Sequence, residues 1–63
     1  MKRYICTHTD TSKRLWYVSQ LRGRVGDWGY EQDRAKAVLM SERTAKIYCN
    51  EGPGRRQMHE VRS

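Results

Sequence analysis

Sixty-three residues, 37% of them hydrophobic and none of them Phe, make one domain at most, with a core too small to wall off a large catalytic pocket. Thirteen Lys and Arg oppose seven Asp and Glu for a formal charge of +6, which favours anionic partners, nucleic acid first. No apolar run nears the ~20 residues of a membrane span, and no apolar core follows Lys2-Arg3 as a secretory leader requires.

In chain order, residues 2–8 (KRYICTH) are rich in strand formers and predict a first strand. TDTSK, residues 9–13, gathers Thr, Asp and Ser, whose side chains hydrogen-bond nearby backbone and favour turns. RLWYVSQL, residues 14–21, predicts a second strand, so that the two form an antiparallel hairpin over a loop of about five residues. RGRVG, residues 22–26, turns the chain again. DWGYE, residues 27–31, reads as a short third strand or an edge extension, weakened by Gly29 between two aromatics.

From Gln32 the character changes. QDRAKAVLM is Ala-rich, and Asp33 is placed to cap a single helical turn. Ser41 then stands as an N-cap before Glu42, whose charge suits the first turn of a helix. The helix would run through SERTAKIYCNE, with Gly52 at C′ and Pro53 preventing continuation. Thr44, Ala45, Ile47 and Tyr48 are expected to form its buried stripe, with Cys49 at the border and Arg43, Lys46 and Asn50 opposite. Residues 54–63 divide between a last strand, Gln57 to Arg62, beside strand one, and a loose basic tail. The whole predicts a small α+β domain: an antiparallel hairpin or meander, one helix across one face, and a closing strand if the tail pairs.

Strand alternation sharpens the picture. Trp16, Val18 and Gln20 point one way from strand two, and Leu15, Tyr17, Ser19 and Leu21 the other. Ile5 and Thr7 oppose Tyr4, Cys6 and His8 on strand one. Both faces carry large apolar groups, yet a single short helix covers only one. An uncovered apolar face rimmed by polar groups marks an interaction site. With Trp16 or Tyr17 on it and Arg14, Arg22 and Arg24 around it, such a face would stack bases and hold phosphates. Arg55 and Arg56, after the flexible GPG, would extend that patch, and Trp28 could join it. Two ordinary readings stand beside this one. Trp16 and Trp28 could simply be the core of a domain without Phe, or the anchors of a protein interface, where Trp, Tyr and Arg are enriched.

No catalytic constellation stands out. Cys6-x-His8, Cys49 and His59 contain the residue types of a zinc site, but not as the closely spaced pairs such sites use. Two Cys in a reducing compartment are expected as free thiols. There is no GxGxxG, P-loop or HExxH, and Asp27, Glu31 and Asp33 read as turn and cap residues. A non-catalytic protein without cofactor or metal is therefore expected.

The order of features resembles that of small α+β proteins encoded by phages and prophages. The matching residues are Tyr4, Trp16-Tyr17-Val18, Trp28-Gly29, Asp33-Arg34-Ala35-Lys36-Ala37, and Ser41 with Ala45, spanning about residues 3 to 52. The resemblance implies a compact fold and an accessory role, such as inhibition or regulation of a host protein, and supplies no site residues. Together these readings give a cytoplasmic protein that binds the nucleic acid of a bacterial host or a protein that handles it. An inhibitor or adaptor that never touches nucleic acid is the alternative, and homodimerisation through the bare face is compatible with either.

Overall fold

The computed structural model describes residues 2–52 and 54–61. Four strands form one antiparallel sheet: β1 (Arg3–Thr9), β2 (Leu15–Gln20), β3 (Gly29–Glu31) and β4 (Arg56–Val61). Their spatial order is β3-β2-β1-β4. Among the described residues one α-helix, α1 (Glu42–Asn50), packs on one face against β1 and β4. The molecule is thus a small α+β fold, and the C-terminal segment closes the sheet as a strand. Pro53 as a helix stop and Arg62 as the end of the last strand lie outside the described residues.

The register assigns every strand residue to a face, because directly opposed residues of an antiparallel pair share one. His8 lies opposite both Trp16 and Arg56, and Cys6 opposite Met58. Val18 lies opposite Tyr30. These residues point towards α1. On the other side, Thr7 lies opposite both Tyr17 and Gln57, Thr9 opposite Leu15, and Ile5 opposite His59. The β2–β3 register shifts between Val18 and Gln20, a bulge that bends the edge.

The core sits on the helix side: Tyr4, Cys6, Val18, Met40, Ala45 and Tyr48 are buried together. Residues 32–40 carry the chain back across the sheet edge. Asp33 caps the single 3₁₀ turn Arg34–Lys36 by accepting from the Ala35 amide at 2.9 Å. Val38 then donates to the Val18 carbonyl at 2.9 Å, and Met40 exchanges two bonds of 2.8 Å with Tyr4. Ser41 caps α1, accepting from the Thr44 amide at 3.3 Å.

Two features of α1 differ from the sequence-based expectation. Ile47 is 50% exposed, not part of the buried stripe. It lies two residues from Ala45, roughly opposite on a helix of 3.6 residues per turn. The covered stripe is Thr44, Ala45, Tyr48 and Cys49. Gly52 follows the Glu51 cap as expected, but among the described glycines positive φ occurs at Gly23 and Gly54, not there. Space explains the glycine instead. A Cβ on Gly52 would lie 2.6 Å from Nε of Arg56, whose Nη1 donates to the Tyr48 carbonyl at 3.1 Å. The Tyr48 carbonyl also accepts from the Glu51 amide at 3.3 Å, so Arg56 is its second donor and brings a cation to the negative pole of the helix.

Gly52→Ala should therefore destabilise by about 1 kcal/mol, from displacement of this cap. A compatible Gly→Ala change would instead stabilise by about 0.4–1 kcal/mol. Urea unfolding of the variant distinguishes the two signs.

Candidate functional site

Because α1 lies over β1 and β4, the helix-side face near Trp16 stays open. There His8 from β1, Trp16 from β2 and Tyr30 from β3 line a depression of about 270 Å³ that is open to solvent. All three residues are half-buried. The rings of His8 and Tyr30 are 6.0 Å apart and tilted by 50°. His8 Nδ1 is shielded and has no hydrogen-bond partner among the described residues.

Behind this depression the aromatic layer continues into the core. Tyr30 and Tyr48 share a hydroxyl–hydroxyl bond of 3.0 Å. Trp28 stacks on Tyr48 at 5.4 Å with the planes 13° apart, and the Arg56 guanidinium carbon lies 4.4 Å from the Tyr48 ring centre. Burial, then the bond with Tyr30, pushes the Tyr48 hydroxyl well above its ordinary pKa, so it stays neutral. Burial also pushes the Cys6 thiol up to about 12. Both Cys6 and Cys49 are free thiols.

Trp16 is held by an unexpected partner. Its indole Nε1 donates to Oδ2 of Asp10 at 3.0 Å. Oδ1 of the same carboxylate accepts from the Ser12 amide at 2.8 Å and the Arg14 amide at 2.9 Å. Two further backbone bonds of 3.0 Å, Asp10 to Arg14 and Lys13 to Asp10, close the loop. Lys13 takes the left-handed φ of 64° that this tight turn requires.

The residues singled out from sequence thus separate into groups. Trp16 and Arg14 share the Asp10-centred end of the hairpin. Tyr17 is on the opposite sheet face, so one platform cannot use both Trp16 and Tyr17. Arg22 and Arg24 are exposed beyond the other end of β2, next to the 3₁₀ turn Val25–Asp27. Trp28 is stacked against Tyr48, and Arg56 is committed to the same ring and the helix end. Arg55 is exposed before β4. His59 and Cys6 project from opposite faces, and among the described residues no three His, Cys, Asp or Glu converge as a metal site. No helix among them is long and apolar enough to cross a membrane.

His8, Asp10 and Tyr30 were not foreseen as site residues. Alternation puts His8 on the side of Cys6, but only the hairpin register places it opposite Trp16. Asp10 reads as a turn residue, and that turn is what aims its second oxygen at the indole.

The bonds to Asp10 give a pH dependence. The Trp16 indole N–H, then the Arg14 amide, holds the Asp10 carboxyl below its usual pKa. The Tyr4 hydroxyl, then Lys46, does the same for Glu42. A depressed folded-state pKa adds stability above the unfolded value, which is lost as pH falls through the folded one. The melting temperature should therefore hold down to about pH 5 and fall below about pH 4. Asp10→Asn should make that acid fall shallower, as followed by circular dichroism.

No family model, curated protein or solved structure matches this chain.

Proposed function

We propose that this protein is a small non-catalytic binder that contacts nucleic acid through the Trp16 side of its sheet, as a phage or mobile-element accessory factor in a bacterial cytoplasm. The observation that supports this most directly is the open aromatic depression beside α1 on a chain of charge +6. Aromatic rings accept bases and surrounding cations hold phosphates. Arg14 and Lys13 stand next to Trp16 in sequence, and Arg22, Arg24 and Arg55 lie exposed on other loops.

Fluorescence anisotropy with labelled single strands and duplex, repeated across salt, tests the reading. Three phosphate contacts on a single strand would lower affinity about 20-fold between about 50 and 200 mM salt. Salt-insensitive binding contradicts it.

The other sheet face favours a second reading, docking on a host protein without nucleic acid. Ile5 and Thr7 are buried on that side, and Thr9, Leu15, Tyr17, Gln57, His59 and Val61 lie around them, with Leu15 45% exposed. Among the described strand residues on that side the formal charges are only Arg3 and Glu31. That reading requires a partner that survives nuclease treatment and no retention of nucleic acid at low salt. A second copy of the chain on the same face would appear as concentration-dependent sedimentation.

A further inference from the structure

We propose that the depression at Trp16 seats one unpaired nucleotide, its base on the indole and its phosphate on the Lys13-Arg14 turn, with Asp10 as the positioning residue for both. This rests on the nucleic-acid reading above and names the form of nucleic acid the site takes.

The rings set the size of the ligand. His8, Trp16 and Tyr30 line an open depression of about 270 Å³, slightly below the roughly 300–1,000 Å³ of sites for drug-sized ligands. A single planar ring suits that space. A base inside a duplex is already stacked on both faces and would have to be unpaired and swung out to enter. An unpaired base pays no such penalty, so single strands should be preferred.

Asp10 sets what the ring can offer. The indole N–H is already donated to Oδ2 of Asp10, which locks the orientation of Trp16 and leaves its π-face as the remaining means of recognition. Stacking of that kind tolerates every base, since each has a π-face. The other carboxylate oxygen holds the amides of Ser12 and Arg14, so one side chain fixes both the stacking plate and the basic turn beside it. Lys13 and Arg14 are both exposed, so a phosphate can reach them. Three N–H donors engage the Asp10 carboxylate, which limits its repulsion of that phosphate.

Asp10→Asn separates the two tasks. The amide oxygen can still serve the turn, while the amide nitrogen meets the indole N–H donor to donor and the clamp on Trp16 is lost. The experiment uses a Trp28→Phe background, in which Trp16 is the sole indole. Its emission is titrated with a short oligothymidylate, a short oligouridylate and a duplex of mixed sequence. Both single strands should quench Trp16 and bind about tenfold tighter than the duplex.

Asp10→Asn should weaken single-strand binding by a similar factor with an unchanged salt slope, because the basic turn is retained. A purely structural defect would instead show as a lost cooperative melt. Arg14→Ala, an exposed change, should lower the salt slope by about 0.7 per lost phosphate contact and leave the quench intact. Duplex binding as tight as single strands, or binding that leaves Trp16 emission unchanged, overturns this proposal while leaving the nucleic-acid reading standing. Failure to bind any of the three probes overturns both.

Discussion

Tyr48→Ala is expected to leave the chain largely unfolded at room temperature. Tyr48 is fully buried and joins the parts of the fold that meet on the helix side. Trp28 stacks on its ring, Tyr30 bonds its hydroxyl and the Arg56 guanidinium lies over the ring. Truncating a buried aromatic costs about 3–5 kcal/mol, and the lost aromatic pairing adds about 0.5–1.5 kcal/mol. At the usual ~0.05–0.15 kcal/mol per residue, a domain this short holds only about 3–9 kcal/mol in total. Far-ultraviolet circular dichroism should therefore lose its cooperative melt. Tyr48→Phe keeps the ring and removes one hydrogen bond, for about 1 kcal/mol and a melting temperature lower by roughly 4–8 °C. A Tyr48→Ala protein that melts like the parent would mean that the core lies elsewhere.

Trp16→Ala should weaken nucleic-acid binding by about 5- to 150-fold, since one stacked base contributes about 1–3 kcal/mol. Tyr17→Ala, one residue away, should leave affinity within about twofold, the scatter of surface substitutions far from a site. The contrast follows from the pleat. Trp16 opposes His8 on the side of the depression, whereas Tyr17 opposes Thr7 on the far side. Both rings are half-buried aromatics in the same strand, so a general loss of packing would affect binding in both variants. Equal losses in the two, or a loss confined to Tyr17→Ala, would move the contact surface to the other face.

Much of the fold was legible because its signals are local. Ser41 with Glu42 marks a helix start by capping chemistry alone, Asp33 marks the 3₁₀ turn, and Trp16-Tyr17-Val18 can hardly be other than a strand. The last strand was legible only as one of two outcomes, since pairing of β4 with β1 joins residues some fifty positions apart and depends on no local propensity. Ile47 was misplaced because, two residues from Ala45, it falls on the far side of the helix while its hydrophobicity suggests the near one. Gly52 was read for its backbone freedom, whereas the need for it comes from an arginine four residues later. The candidate site shows the same division. Trp16 was evident from composition and alternation, and the exposed Arg14 from its place beside it. His8, Tyr30 and Asp10 join them only through the registers of two strand pairs and the closure of one turn.

The most direct measurement of the central claim is a map of backbone-amide and indole chemical shifts in isotope-labelled protein titrated with a short oligothymidylate. The account predicts that the largest changes fall on His8, Asp10, Lys13, Arg14, Tyr30 and the Trp16 indole N–H. Ile5, Tyr17 and His59 on the opposite face should stay still. Shifts concentrated on that opposite face, or none anywhere at saturating oligonucleotide, would contradict it.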